Sequence, residues 1–380
     1  MFHSLASPHR VLSLLGQIEA KGSIGSVIGT TRDILSWALT VHPGLEFGTA
    51  SIRAPMGAGS CYINSLTIIQ TSQGPADYLL GNVRNAADAG VVVGCDMREH
   101  SARFARLTAA AFIAKGFTVK CFELYVHTPM VPFAVDYFKA AAGVMITASH
   151  NPKEHNGYIV YGPDACQINA PVDGMIRLSI LKNLEPITWN VEAALASPPT
   201  QYVLGIILTA YRSKARQFLG SLTAGKVPAF LYTPLHGVGL GYLDLVLHSP
   251  QADFEDRTVD VVPEQAAPDL TFPTVKYPNP EEVEALDHAK ATAKKKQPRL
   301  IFANDPDAGG FAVAEKVGDH WFDFTGDQIG VLLAHYLMTK FPPKPTVPCF
   351  LLASAVSSQL LSHVAPDMGF HYAETLTGCK

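Results

Sequence analysis

Residues 90–122 read GVVVGCDMREHSARFARLTAAAFIAKGFTVKCF, and the fold class follows from the pattern of this segment. The apolar run at 90–94 predicts a buried strand, and the run at 118–122 predicts a second strand. Between them, residues 102–115 carry Ala and Phe at helical spacing, which predicts a connecting helix. A strand, a helix and a further strand in this order are typical of a mostly parallel sheet with helices on its faces.

The same alternation continues along the chain. Further apolar runs predict strands at 142–147, 227–232, 299–303 and 349–353, and a helix is predicted at 326–340. The Pro-rich residues 263–280 predict an extended loop. We therefore predict an α/β protein of consecutive three-layer α/β domains, with mixed, mostly parallel sheets.

Length and composition exclude several classes of protein. At 380 residues the chain is too long for one core, because single cores stop growing at roughly 250–300 residues. With 48% hydrophobic residues it is not a disordered chain, and its net charge of −4 argues against nucleic-acid binding. No apolar run approaches the ~18 residues of a membrane helix, so we expect no membrane partner. Six widely spaced cysteines suit reduced thiols, which predicts a cytoplasmic protein.

The breaks in the pattern predict three structural units after an N-terminal extension. Residues 1–44 form the poorly defined extension, 45–195 the first α/β domain and 196–320 the second. Residues 321–380 begin a third α/β unit, which at about sixty residues lies near the lower limit of domain size. We therefore expect the third unit to be incomplete.

Polar turns follow three of the predicted strands, at 147–152, 233–239 and 304–310. In open α/β sheets, ligands bind beyond the carboxyl ends of the strands, so these turns are candidate sites. In the first turn, Ser149 leaves a buried strand beside His150, and a hydroxyl held in this way can carry a covalent intermediate. The alternative is an ordinary Ser/Asn-Pro turn that caps the next element.

The third turn contains two closely spaced acids. Asp305 and Asp307 flank Pro306 directly after an apolar strand. Two neighbouring carboxylates repel each other unless a cation joins them, and hard oxygen ligands favour Mg²⁺. A phosphorylated serine can supply a further oxygen ligand to such an ion. The alternative is a solvated acidic loop.

Seven segments in the same order resemble the α-D-phosphohexomutase family, most closely its phosphoglucomutase- and phosphopentomutase-like branch, which includes glucose-1,6-bisphosphate synthase. They are EFGTA (46–50) with Arg53, LTIIQTSQG (66–74), ITASHNPKEHNGY (146–158), TPLHGVG (233–239), FPTVKYPNPEE (272–282), NDPDAGGFAVAEK (304–316) and ETLTGCK (374–380). The resemblance runs from about Leu45 to the last residue. It implies a mutase that exchanges the 1-phosphate with the 6- or 5-phosphate of glucose or a pentose, and hence small sugar phosphates as partners.

The resemblance also implies the roles of individual residues. Ser149 matches the serine that is phosphorylated in the resting enzyme, and His150 matches the histidine beside it. Ser149, Asp305 and Asp307 match the ligands of the Mg²⁺ cofactor. Arg53 matches an arginine near the transferred phosphoryl group. The substrate loop of the third domain is matched by Thr377, Gly378 and Lys380.

Several positions depart from the pattern of the family. Gly309 and Gly310 replace an aspartate and an arginine that complete the family's metal loop. Ile159 stands where the family has a lysine assigned as general acid/base, and isoleucine cannot exchange a proton. Ser51 stands where the family usually has glycine, so its Cβ is expected to disturb that loop.

The chain is also expected to lack the glutamate-rich sugar loop of the third domain and the whole fourth domain. That domain holds the non-reacting phosphate of the substrate in the family, so its loss predicts weakened alignment of the substrate. Three hypotheses remain open. The chain is a phosphosugar mutase of impaired activity, a non-catalytic relative that binds phosphosugars or serves as an interaction module, or an incomplete gene product.

Overall fold

The computed structural model of the chain describes residues 45, 51–222, 228–247, 259–282, 284–343 and 347–375. Within these ranges the strands form three sheets, of six, five and two strands. Six of the ten strand pairings are parallel and four are antiparallel, so the predicted α/β class with mixed, mostly parallel sheets is confirmed. The predicted extension 1–44 lies outside the described residues.

The first sheet has the strand order β1–β5–β4–β2–β3–β6. Its strands are β1 (Ser51–Pro55), β2 (Val91–Cys95), β3 (Val119–Cys121), β4 (Ala142–Ile146), β5 (His155–Tyr161) and β6 (Thr200–Tyr202). The helices of this region are α1 (Ser65–Asn82), α2 (Ala86–Ala89), α3 (Ser101–Ala114), α4 (Met130–Phe138), α5 (Val172–Lys182), α6 (Val191–Leu195) and α7 (Leu204–Leu222).

Apolar side chains alternate between the two faces of the first sheet. Val91 and Val93 of β2 pack with α1 and α3 in one core cluster, whereas Val92 packs with α4 in the other. Because β2 is buried over its whole length, it reads as a continuous apolar run, as expected of a strand covered on both faces. This double burial holds the carboxyl ends of β2 and β4 rigidly side by side.

The strand β5 runs antiparallel to both of its neighbours, β1 and β4, which the sequence did not predict. It lies close to them at Gly157, where an added Cβ would be 2.3 Å from the carbonyl oxygen of Thr147 and 2.9 Å from that of Ile52. Only glycine allows this approach without a shift of the backbone. The segment between β4 and β5 is therefore a tight loop at the edge where the parallel strands end.

The second sheet has the strand order β11–β10–β9–β7–β8. Its strands are β7 (Phe230–Thr233), β8 (Asp260–Val261), β9 (Leu300–Asn304), β10 (Phe311–Val317) and β11 (His320–Asp323), with helices α8 (Gly239–Leu247) and α9 (Asp287–Lys296). A short 3-10 helix, Pro263–Gln265, begins the Pro-rich segment. The parallel strands β7 and β9 end in the TPLHG and NDPD turns, which places these two turns next to each other.

The third sheet pairs β12 (Phe350–Ser354) with β13 (His371–Thr375) in parallel, next to α10 (Gly326–Lys340) and α11 (Leu360–Asp367). Several of its apolar side chains are exposed, among them Phe350 and Leu352. The strand β6 joins the first sheet and β11 joins the second, so these sheets extend past the predicted boundaries at 195 and 320. The division of the chain into domains stays a prediction. In the described part of the chain, no helix combines the length and the apolar character needed to span a bilayer.

Candidate active site

The loop between β4 and β5 presents Ser149 at the carboxyl edge of the first sheet. The backbone of Ser149 has φ +55°, a left-handed conformation that costs energy for a residue with a Cβ. The hydroxyl of Thr147 accepts a hydrogen bond from the Ser149 N–H at 2.8 Å and so supports this conformation. The residue is only 9% exposed, so its hydroxyl is held in a fixed, nearly buried position.

The turn between β9 and β10 presents Asp305 and Asp307, both almost fully buried. Asp305 Oδ1 accepts a hydrogen bond from the N–H of Gly310 at 2.6 Å, which fixes its carboxylate. The neighbouring TPLHG turn packs directly on this loop, since a Cβ at Gly237 would be 2.3 Å from Pro306 Cα. This hydrogen bond and the close backbone packing therefore fix the turn that bears the two acids.

The two loops meet in one site. The Ser149 hydroxyl donates a hydrogen bond to Asp305 Oδ2 at 2.6 Å. The Thr128 hydroxyl donates to Asp307 Oδ2 at 2.6 Å, and Thr147 Oγ1 lies 3.1 Å from the same oxygen. The serine loop and the acidic turn thus meet at one point, where Ser149 contacts Asp305 and Thr147 contacts Asp307. The cation that the sequence analysis expects between them stays a prediction.

The acidic pair has the properties of a cation site. Asp307 Oδ1 is buried and has no hydrogen-bond partner among the described residues. Burial and the neighbouring Asp307 raise the pKa of Asp305 to about 8, because two buried carboxylates disfavour a second negative charge. An orphaned carboxylate oxygen beside further hard oxygens fits a divalent cation. The described residues contain no cluster of three or more His, Cys, Asp or Glu arranged to bind a metal. The oxygens that could hold a cation at this point are those of Asp305, Asp307 and Ser149.

His150 and Arg53 lie at the entrance of this site. His150 Nδ1 is 3.3 Å from Ser149 Oγ and 3.9 Å from Asp305 Oδ2. Burial, together with the positive charge of Arg53, lowers the pKa of His150, which favours a neutral imidazole. Arg53 lies on β1, is exposed, and donates to Asn151 Oδ1 at 3.3 Å. The structure thus brings five predicted residues together: Arg53, Ser149, His150, Asp305 and Asp307.

The other predicted substrate residues, Thr377, Gly378 and Lys380, lie outside the described residues. Their assignment to a substrate loop stays a prediction. The nearest described strand, β13, ends at Thr375 and belongs to the third sheet.

The positions that depart from the family differ in their surroundings. Ile159 is 2% exposed and belongs to the core cluster that packs under α4. Gly309 is exposed, and a Cβ there would lie 3.5 Å from Asp307 Oδ1, the oxygen without a partner. A Cβ at Gly310 would lie 3.2 Å from the Asp305 carboxyl carbon. Ser51 begins β1 and pairs with Ile159 of β5. Residues 46–50, which precede it, lie outside the described residues, so the expected disturbance of that loop stays a prediction.

Four residues that the sequence reasoning missed hold the site together: Asp96, Arg98, Thr128 and Thr147. Asp96 is fully buried and accepts hydrogen bonds from the hydroxyls of Ser101 and Thr147, both at 2.7 Å. Burial raises its pKa, while Arg98, 3.3 Å away, opposes that shift. A signal was available, since two charged residues, Asp96 and Arg98, follow the buried strand β2 at its carboxyl end.

Comparison with known families matches two segments of the chain. Residues 44–186 match the family described as phosphoglucomutase/phosphomannomutase, alpha/beta/alpha domain I. Residues 211–318 match alpha/beta/alpha domain II of the same family. Each match contains one half of the site: the serine loop lies in the first and the two aspartates in the second.

Curated relatives agree with these matches. A probable phosphoribomutase of Schizosaccharomyces pombe is 45% identical over 375 residues, which cover 96% of this chain and 63% of that protein. The phosphopentomutase of Mus musculus is 41% identical over 353 residues, which cover 88% of this chain and 56% of that protein. The human glucose 1,6-bisphosphate synthase is 40% identical over 353 residues, with the same coverages. The chain therefore spans about three fifths of the length of these relatives.

Solved structures agree in fold. A putative phosphomannomutase from Thermus thermophilus superposes with a TM-score of 0.73 at 23% identity, covering 88% of this chain and 70% of that one. A phosphoglucomutase/phosphomannomutase family protein from Burkholderia thailandensis gives a TM-score of 0.64 at 18% identity, covering 86% and 65%. Together with the family matches and the curated relatives, these likenesses agree with the resemblance carried by the sequence motifs. The chain belongs to the phosphoglucomutase/phosphomannomutase family, the α-D-phosphohexomutases.

Proposed function

We propose that this protein is a phosphosugar mutase that works through a phosphoserine at position 149. The phosphoryl group moves from Ser149 to one hydroxyl of a sugar monophosphate and produces a bisphosphate. The bisphosphate then returns its other phosphoryl group to the serine. The net reaction exchanges the 1-phosphate with the 5- or 6-phosphate of a pentose or of glucose.

The observation that carries the proposal is the contact between Ser149 Oγ and Asp305 Oδ2, at 2.6 Å. Two carboxylates buried beside a serine hydroxyl destabilise the folded protein, because burial removes water from the charged groups. A cation and a phosphoryl group bound at this point would offset that cost. Transfer of a phosphoryl group depends mainly on positioning and on neutralising charge, and these loops provide both.

Proton transfer is assigned to His150. In the first half-reaction, the bond between phosphorus and Ser149 Oγ breaks while a bond from phosphorus to the sugar oxygen forms. The sugar hydroxyl loses its proton, and Ser149 Oγ gains one. Neutral His150, whose Nδ1 lies 3.3 Å from Ser149 Oγ, can accept the first proton and return one to the serine. The second half-reaction reverses these movements at the other sugar oxygen.

Ser149, Asp305 and Asp307 would hold a divalent cation, and we propose Mg²⁺. When bound, the cation neutralises negative charge on the phosphoryl oxygens. Two carboxylates and a phosphoryl oxygen are a ligand set typical of Mg²⁺, which completes its shell with water. Arg53, exposed on β1 beside the serine loop, would contact the phosphoryl group of the substrate.

The names of the relatives support sugar phosphates as substrates. They are a probable phosphoribomutase, a phosphopentomutase and a glucose 1,6-bisphosphate synthase, so both pentose and glucose phosphates are candidates. A mutase and a bisphosphate synthase use the same kind of serine. Phosphorylated Ser149 is therefore the intermediate to detect first, because both activities would pass through it.

The test is mass spectrometry of the purified protein after incubation with glucose 1,6-bisphosphate and Mg²⁺. We expect one phosphoryl group on Ser149, and none in Ser149→Ala under the same conditions. The variant Ser179→Ala, which removes a hydroxyl from α5, serves as the matched control and should label like the wild type. An unlabelled wild type that also fails to convert ribose 1-phosphate or glucose 1-phosphate contradicts the proposal.

A second candidate function is phosphosugar binding without turnover. The observation in its favour is the burial of Ile159 in the core, at the position where the family has a lysine acid/base. Gly309, which adds no carboxylate beside Asp307, points the same way. This candidate predicts that glucose 1,6-bisphosphate binds, as measured by calorimetry, while Ser149 stays unmodified.

A further inference from the structure

Arg98 lies beneath the serine loop, and its side chain is completely buried. Its Nη2 donates hydrogen bonds to the carbonyl oxygens of Ser149 and Asn151, both at 2.6 Å. Its Nη1 donates to the carbonyl oxygens of Pro152 and His155, at 2.8 and 3.2 Å. All four Nη hydrogens are therefore directed at the backbone of one seven-residue segment, 149–155.

Asp96 fixes the guanidinium from the other side. Asp96 Oδ2 lies 3.3 Å from Arg98 Nε, and Asp96 Oδ1 accepts from the backbone N–H of Arg98 at 3.0 Å. The same carboxylate accepts from the Thr147 hydroxyl, which in turn supports the N–H of Ser149. The Asp96–Arg98 ion pair therefore supports the backbone of Ser149 on both sides. Asp96 supports its N–H through Thr147, and Arg98 binds its carbonyl oxygen directly.

Phe272, from the part of the chain that forms the second sheet, covers a further side of Arg98. The ring of Phe272 lies over the guanidinium, with its centroid 5.2 Å from Arg98 Cζ, in the range of a cation–π contact. Phe272 also packs with Met97 and Val238, so this contact belongs to a small core shared by the two regions. The guanidinium that holds the serine loop is therefore covered by a side chain from the region that supplies the acids.

We propose that Arg98 is the positioning residue that holds Ser149 in place for phosphoryl transfer. Four carbonyl oxygens that converge on one point repel each other, and a planar cation with several donors relieves that repulsion. Without it the left-handed Ser149 loses its support and the loop can relax. Arg98 acts through the backbone and touches no reacting atom, so the proposal extends the proposed function and rests on it.

The test compares Arg98→Lys with Arg106→Lys. Lysine keeps the charge but carries its donors on one nitrogen, so it cannot span four carbonyls. Arg106 is an exposed arginine of the same region, paired with Glu192, and provides the matched control. We expect Arg98→Lys to label Ser149 from glucose 1,6-bisphosphate about 100-fold more slowly, as a displacement near 1 Å can cause. The KM for the bisphosphate should stay unchanged, because its binding groups are intact.

Hydrogen–deuterium exchange gives a second readout that requires no activity. Amides of residues 149–155 should exchange faster in Arg98→Lys than in the wild type or in Arg106→Lys, with other peptides unchanged. Unchanged exchange in this segment overturns the positioning role, whatever the labelling shows. A wild type that takes no label, combined with faster exchange in the variant, overturns the proposed function and supports the role of Arg98.

If Arg98→Lys does not fold, Phe272→Leu is measured in the same way. This variant removes the aromatic ring that covers the guanidinium, so water can compete for its hydrogen bonds to the four carbonyl oxygens. A smaller change of the same sign, in both labelling rate and exchange, supports the proposal. Wild-type exchange and a wild-type rate in Phe272→Leu contradict it.

Discussion

Gly309 lies beside the one carboxylate oxygen of the site that has no hydrogen-bond partner in the described residues. A Cβ at this position would be 3.5 Å from Asp307 Oδ1, which is an ordinary contact distance. Since Gly309 is exposed, a longer side chain has room to turn toward the acidic pair. A carboxylate can therefore be added at position 309 without disturbing the core.

We predict that Gly309→Asp tightens the binding of Mg²⁺ or Mn²⁺ by about tenfold or more, because a third carboxylate joins the two already present. Isothermal titration calorimetry measures the effect. Gly174→Asp is the matched control, since it adds a carboxylate to the first turn of α5, where nothing lies within 4 Å. Equal affinities in both variants would show that position 309 does not face the cation.

The raised pKa of Asp305 also has a consequence for stability. Its folded value, about 8, is above the unfolded value of about 3.9, so the folded state holds a proton that the unfolded state releases. Stability must then fall as the pH rises toward 8. Near pH 6.5 buried histidines act in the opposite direction, because burial lowers the pKa of His127, His150, His155 and His236 and the unfolded chain binds protons there that the folded protein does not. The contribution of Asp305 is therefore the difference between the wild type and a variant that lacks this carboxyl group.

We predict that the metal-free protein loses stability from pH 6.5 to 8 relative to Asp305→Asn, as measured by urea denaturation, and that Mg²⁺ removes most of this relative loss. The cation replaces the proton between the carboxylates and stabilises the folded state by mass action. Asp305→Asn should keep only the contribution of the histidines and should respond more weakly to Mg²⁺. Parallel profiles of the wild type and Asp305→Asn in this range contradict the prediction.

The strand β5 carries one buried polar residue, Asn156, and one core residue, Ile159, and the two make different contacts. Asn156 is buried and donates to the Glu99 carbonyl and the Ser101 hydroxyl, which ties β5 to the start of α3. Ile159 lies three residues on, pairs with Met145 of β4 and faces the core under α4. The strand therefore commits position 159 to packing.

We predict that Ile159→Lys destabilises the protein by roughly 3–5 kcal/mol, because it leaves an uncompensated charge in the core. The control Ile159→Val should cost about 1 kcal/mol, the usual effect of one lost methylene. Thermal or urea unfolding measures both. A stable Ile159→Lys with increased labelling of Ser149 would show instead that a lysine reaches the site from this strand.

The sequence predicted those strands and helices that are visible as an apolar run or as helical spacing within one short segment. The strands β2, β3, β4, β7, β9 and β12 and the helix Gly326–Lys340 lie within a few residues of their predicted positions. The antiparallel β5 was missed because its residues HNGYIVY mix polar and apolar side chains, and its place depends on pairing with distant β1. The contacts of Arg98 were missed for a related reason, since they join segments more than fifty residues apart.

His127 lies where the first sheet and its helices contact α8, which belongs to the second sheet. Its ring stacks on Tyr242 of α8 with centroids 3.8 Å apart and meets Tyr211 of α7 edge-on at 5.2 Å. Burial lowers its pKa to about 3, and among the described residues its Nε2 has no hydrogen-bond partner. The buried surroundings of His127 therefore favour the neutral imidazole over the charged imidazolium.

We predict that His127→Phe makes the protein more resistant to acid than the wild type. A group whose folded pKa is depressed contributes stability that is lost as the pH falls below its unfolded value of about 6.5. At pH 4.5 the variant should gain about 2–3 kcal/mol relative to the wild type, compared with their difference at pH 7. Urea midpoints at the two pH values measure this, and equal shifts in both proteins contradict it.

The serine and the acids that face it come from opposite ends of a long stretch of chain, 156 residues apart. During synthesis, the loop that bears the serine leaves the ribosome well before its acidic counterparts exist. A nascent chain at that stage holds the serine hydroxyl without the carboxylates that face it in the folded protein. The site is therefore assembled only when the second sheet has folded against the first.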